Sequence, residues 1–169
     1  KTIMQIEVSG NTDGTIEIEL MENISPSHVK QIINLVNNKK YDGVVFHRVI
    51  DGFMAQTGDV KFGNVFLGFS PEVVGTGGSD LDDLKSEFSD IPFDRGIVGM
   101  ARAQNPNSAN SQFFIMLADG HFLNGNYTVF GKVISGMDVV DQIKKGDPDK
   151  NGMIEKNPDY MSKVLIKNK

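Results

Sequence analysis

The chain has 169 residues, with 17 Lys or Arg against 22 Asp or Glu and a formal net charge of −5. That length fits a single domain, residues 1–169, able to bury roughly two-thirds of its unfolded surface without staples. The lack of cysteine excludes disulfides, a thiol nucleophile and Cys-based zinc sites. The mildly acidic surface argues against a groove that tracks nucleic-acid phosphates, and no apolar run approaches the ~20 residues of a membrane span.

The first element is a strand over Ile3–Val8, where Ile3, Ile6 and Val8 flank Gln5 and Glu7 and Met4 interrupts the alternation. Turn residues at Asn11–Gly14 lead into Ile16, Ile18 and Leu20, alternating with Glu17 and Glu19, which predicts a β-hairpin. Ser25 as N-cap and Pro26 in the first helical position open a helix that carries Val29, Ile32, Ile33 and Val36 on one face and ends near Asn37 and Asn38. Strands are expected at Val44–Ile50, Phe53–Gly58, Ile97–Ala101, Gln112–Leu117, Val129–Ile134 and Tyr160–Ile166, with a second helix over Met137–Lys144. Residues 58–82 are glycine-rich and read as a long irregular excursion. Many short strands with two helices predict a mainly β fold closed into an antiparallel barrel, since closure removes exposed edges.

Alternation along Val45–Ile50 places Phe46, Arg48 and Ile50 on one face and His47 and Val49 on the other. An arginine beside Phe53 and Met54 needs partners if it is buried. Two readings are open from spacing alone: a rim arginine laying its stem over apolar surface, or a functional cation.

Three segments carry a resemblance. Phe46-His47-Arg48, followed by Gly52-Phe53-Met54, Gln56 and Gly58-Asp59, is the first. Met100-Ala101 with Ala103, and then Ser111-Gln112-Phe113-Phe114-Ile115, is the second. Phe122-Leu123 with Gly125, and then Val129-Phe130-Gly131-Lys132-Val133, is the third. In this order and spacing they resemble the signature of the cyclophilin family, and the likeness extends from about Ile3 to Ile166. The resemblance implies an eight-stranded closed barrel capped by two helices. It implies a peptidyl-prolyl cis–trans isomerase that needs no cofactor or metal and assists folding. Arg48 would be the main catalytic group and Gln56 the residue that orients it. Phe53, Met54, Phe114 and Leu123 would form the proline pocket. Ala101, Arg102, Ala103 and Gln112 would hold the extended peptide, and Gly75 would supply the flanking glycine turn. Expected partners are proline-containing peptides and unfolded chains, with the protein a monomer that binds neither nucleic acid nor membrane.

The sequence departs from the family in a few places. Phe122 stands where many members have a Trp whose N–H binds cyclosporin, so cyclosporin is expected to bind weakly. Tyr127 replaces a His, so activity is expected to stay flat from about pH 6 to 8; together these two residues resemble bacterial members. Arg102 replaces an Asn. The loop from Val60 to Val74 is longer than in compact members, and its Phe62, Phe66, Leu67 and Phe69 are expected to pack as a small cluster rather than form a lip for substrate.

Other motifs are read as decoys. Asp147-Pro148-Asp149-Lys150-Asn151-Gly152 imitates the start of a calcium loop, but the twelfth position is Pro158 rather than Glu, so a solvated turn is expected. His28, His47 and His121 have no metal-ligand spacing, and His47 is expected to be structural. No Gly-x-Ser-x-Gly elbow occurs. The rival to an isomerase is a binding module that uses the same groove without turnover. The chain starts Lys1-Thr2-Ile3 rather than with Met, so an upstream segment is expected to have been removed; bacterial cytoplasm and periplasm are both open.

Overall fold

The computed structural model describes every residue, 1–169. Strands β1 (Thr2–Ser9) and β2 (Gly14–Leu20) form the predicted hairpin. Met4, Ile6 and Val8 of β1 and Ile16, Ile18 and Leu20 of β2 all join the barrel core. Met4 is therefore the inward residue of its pair, and Ile3, also fully buried, lies on the other face. The remaining strands are β3 (Val44–Ile50), β4 (Met54–Thr57), β5 (Ile97–Met100), β6 (Phe113–Met116), β7 (Val129–Ser135) and β8 (Tyr160–Asn168). They close in the order β1-β2-β7-β5-β6-β4-β3-β8, every neighbouring pair antiparallel. β1 pairs with β8 along its whole length, from Thr2 with Asn168 to Ser9 with Tyr160.

Helix α1 (Pro26–Asn37) packs Val29, Ile32, Leu35 and Val36 into the same core. The shorter α2 (Met137–Gln142) adds Val140 and sits beside the hairpin, where Val139 abuts Gly14. No helix is long and apolar enough to cross a membrane. Ser25 occupies the N-cap position of α1, but its side chain does not cap; its Oγ donates to Val129 O at 2.8 Å and ties the helix start to β7. The first amides of α1 go instead to Glu87, which accepts from Ser27 N at 3.3 Å and His28 N at 2.9 Å and lies 2.5 Å from His28 Nδ1. Burial pushes the Glu87 pKa up, but the bonds from His28 and Ser27 outweigh it and hold it below its ordinary value.

The face assignment predicted for β3 is wrong at its first half. Phe46 pairs with Thr57 but Arg48 pairs with Gln56, so β3 takes two steps where β4 takes one, and His47 is the extra residue of a β-bulge. Phe46 and Val49 consequently both enter the core, while Arg48 turns outward, half-buried. The bulge is braced from outside the sheet: Ile154 N donates to His47 O and Val49 N to Gly152 O.

No strand or helix forms between Thr57 and Ile97. The buried carboxylate of Asp59 organises the first part of this excursion, accepting from Lys61 N, Phe62 N, Gly75 N and Gly77 N at 2.7–3.1 Å. The expected packed cluster in residues 60–74 does not form. Phe66 and Leu67 are 62% and 83% exposed, and Phe66 meets Tyr160 edge-on rather than its loop neighbours.

Candidate active site

Alternation along β4, β5 and β6 builds the site on the outside of the barrel. Ala55, Val98, Met100, Phe113 and Ile115 point inward, leaving Met54, Ile97, Phe114 and Met116 to form a second apolar layer with Phe93, Leu123 and Val129. Gly99 lets that layer close: a Cβ there would sit 2.7 Å from Phe93 and 2.8 Å from Phe114, whose rings stack at 5.8 Å. A 3₁₀ turn at His121–Leu123 raises the last wall. It places Leu123 inside and leaves Phe122 against Phe53, ring centroids 5.5 Å apart.

The result is a cavity of about 280 Å³ lined by Arg48, Phe53, Met54, Gln56, Ala101, Arg102, Phe114, Phe122, Leu123 and Tyr127. A second cavity of about 240 Å³ adjoins it, sharing Gln56, Ala101 and Arg102 and adding Gly75, Ala103 and Gln112 with Thr76, Gly77, Ser108, Asn110 and Ser111. Each residue singled out in the sequence for catalysis or peptide binding thus lies on one of two connected hollows.

A chain of hydrogen bonds fixes the polar edge. Arg48 Nη1 donates to Gln56 Oε1 at 3.0 Å, Gln56 Nε2 to Gln112 Oε1 at 3.0 Å, and Gln112 Nε2 to Gly75 O and Gly77 O at 2.9 Å. Each amide accepts on its oxygen and donates from its nitrogen, so the run is internally consistent. Gly75 holds φ +99°, a conformation that suits glycine, and its amide is anchored on Asp59. Burial lowers the pKa of Arg48 from its ordinary value, yet a guanidinium stays charged at neutral pH.

The sequence reading missed Asn151. Arg48 Nε donates to its backbone oxygen at 2.9 Å and Nη2 to its Oδ1 at 3.1 Å. The loop expected to be a solvated turn is therefore part of the site. Asp147 Oδ1 accepts from Asp149 N within it, and the loop delivers Asn151 to Arg48. The only signal in the sequence was Asn-Gly at 151–152, ordinary for any turn.

His47, just behind Arg48, is buried, and neither ring nitrogen has a hydrogen-bond partner. Desolvation is the main cause that lowers its pKa to about 4, so it is neutral and serves as packing. Beyond Tyr127, the larger cavity has no acid, base or nucleophile on its wall. Asp94, Asp119 and His121 bring ligand-type atoms within 4.8 Å of one another, all three exposed. His121 Nε2 lies 2.6 Å from Asp94 Oδ1 and Asp119 Oδ1 accepts from Arg95 N. The larger cavity, with the guanidinium groups of Arg48 and Arg102 beside an apolar hollow, can clamp a small ring and donate hydrogen bonds to it.

Comparison with known proteins places this geometry. The family model described as "Cyclophilin type peptidyl-prolyl cis-trans isomerase/CLD" matches residues 3–166. A Brucella suis protein named "Probable peptidyl-prolyl cis-trans isomerase" is 63% identical over 154 residues, covering 91% of this chain and 78% of that protein. Peptidyl-prolyl cis-trans isomerase B of Escherichia coli is 35% identical over 154 residues, covering 86% of this chain and 87% of its own. A Cryptosporidium parvum cyclophilin, crystallised in the presence of the dipeptide Ala-Pro, superposes with a TM-score of 0.80 at 26% identity, covering 99% of both chains. The chain belongs to the cyclophilin-type peptidyl-prolyl cis–trans isomerases, enzymes that catalyse rotation about X–Pro peptide bonds.

Proposed function

We propose that the larger cavity holds the proline ring of an exposed X–Pro segment, as found in unfolded or flexible chains, while Arg48 stabilises the twisted amide. Rotation faces a barrier of roughly 18–20 kcal/mol from amide resonance, and unaided X–Pro exchange takes tens to hundreds of seconds. No bond is broken, so the site needs only to favour the twisted form over both planar ones. Once conjugation is lost the nitrogen carries a lone pair that a fixed donor can reach.

The observation that carries this reading is the bracing of Arg48. Of its five N–H groups, three are engaged by Gln56 and Asn151, which leaves one hydrogen on each Nη for substrate. A hydrogen bond to a charged group contributes about 1.5–3 kcal/mol, or one to two decades in rate at about 1.36 kcal/mol per decade. The remaining acceleration falls to the apolar wall of Phe53, Met54, Phe114 and Leu123. That wall holds the ring while the acyl group turns, and it disfavours the more polar planar amide. A binding module would need the groove but not a guanidinium held from two sides.

The test is an isomerisation assay on a short X–Pro peptide, with circular dichroism to confirm the fold. Wild type should accelerate exchange and Arg48→Ala should lose about ten- to a hundredfold of that acceleration. An Arg48→Ala variant as fast as wild type would remove Arg48 from the mechanism. No acceleration by wild type would leave a peptide-binding module.

A further inference from the structure

We infer that Arg102 gives the groove a preference for peptides with an Asp or Glu beside the X–Pro bond, an inference that rests on the isomerase reading above. Arg102 stands at the junction of the two cavities and lines both. Its guanidinium lies over the Tyr127 ring, 4.4 Å from the centroid. Nη1 donates to Ala103 O at 3.0 Å and Gln104 O at 3.2 Å, and Nη2 to Asn126 O at 2.6 Å. All three acceptors are neutral carbonyls. They fix the plane of the group but do not neutralise it, and Nε is buried without a partner.

The charge is unmatched elsewhere too. Neither Arg102 nor Arg48 takes part in any ion pair, and no Asp or Glu lines either cavity. In a chain with five more acidic than basic residues, the groove is a local positive zone, and the mainly apolar wall of the larger cavity focuses its field. A peptide whose proline fills the larger cavity and whose backbone continues past Ala101–Ala103 into the smaller one must cross this guanidinium. A carboxylate one or two residues from the X–Pro bond supplies the missing countercharge. A lysine there meets two cations. Stacking on Tyr127 pre-organises the fork, so little side-chain freedom is lost when the carboxylate arrives.

The experiment measures kcat/KM by NMR exchange for matched peptides carrying Asp, Asn or Lys at each of the two positions before and after the X–Pro bond. Wild type should favour Asp over Asn by about three- to tenfold at one or more positions, with Lys below Asn. The ratio should shrink in high salt and fall close to one in Arg102→Gln, while Arg102→Lys keeps part of it. Equal rates for the three peptides at every position in wild type would overturn the inference. So would an Asp preference that survives in Arg102→Gln. If wild type turned over none of the peptides, the isomerase reading would fail instead. Calorimetric binding of the same peptides would then decide the charge preference separately.

Discussion

Asn151 grips Arg48 twice, through its backbone oxygen at 2.9 Å and its side-chain oxygen at 3.1 Å, across 103 residues of sequence. Its own backbone is left-handed, with φ 57°, which glycine adopts without strain. Asn151→Gly should therefore keep the turn and the carbonyl contact and lose only Oδ1. The expected result is a fall in kcat of roughly tenfold or less, from a single charge-assisted bond with other braces intact. Unfolding midpoints should barely move. Turnover equal to wild type would mean that the side-chain contact does not assist catalysis.

Asp59 links the barrel to the glycine turn of the groove. Its two oxygens serve four backbone amides in a fully buried position. In Asp59→Asn one oxygen becomes an NH₂ group facing donors, so amides lose their acceptor. Urea denaturation should show a loss of about 2–4 kcal/mol, and KM for peptides should rise as Gly75 and Gly77 drift from Gln112. A variant unchanged in both would show that the loop is held by something else.

Phe122 is 72% exposed and supported by Phe53, so the wall is present but offers no donor. Cyclosporin should bind wild type weakly. Phe122→Trp, adding one N–H at the rim, should tighten binding by about tenfold in calorimetry. A nanomolar dissociation constant for wild type would contradict the expectation.

His47 makes stability depend on acid. Its folded pKa is about 4, against 6.5 when free. Above pH 6.5 both states are neutral and it contributes nothing to pH dependence. Between 6.5 and 4 the unfolded chain binds a proton that the folded one refuses, so stability falls as pH falls, by about 3 kcal/mol in all. Denaturation at pH 7 and pH 4.5 should show most of that loss in wild type and less of it in His47→Leu. An equal loss in both would assign the acid sensitivity to other groups.

The strands were legible because they follow from a local rule, the site residues because their motifs resemble those of a family. Period-two alternation marks Ile16, Ile18 and Leu20 as inward; the resemblance to the cyclophilin family, rather than spacing, picks out Arg48, Gln56 and Phe114. What was illegible depends on contacts distant in sequence or on a single inserted residue. The bulge at His47 leaves no mark in composition, yet it reverses which residues share a face with Phe46. Ser25 holds the N-cap position of α1 that the sequence assigned to it, but its side chain makes no capping bond; the first amides go to Glu87, about 60 residues away. Asn151 looked like an ordinary turn residue because its acceptors matter only once Arg48 is beside it. The exposure of Phe66 and Leu67 runs against their apolarity, which is all the sequence shows.

The seam between β1 and β8 has a consequence for how the molecule comes into being. The first strand has Gly14–Leu20 for one neighbour, but its other edge waits for Tyr160–Asn168. Closing a loop of that length is slow relative to local pairing. Of the eight barrel strands β1 is made first and β8 last, so β1 keeps one edge unpaired until β8 is available, while the site strands between them can already meet. On the ring of strands β5 and β6 lie opposite the seam. An unfinished chain can therefore hold a nascent apolar hollow before its barrel is shut, and exposed backbone at β1 is its point of risk for pairing with a neighbour.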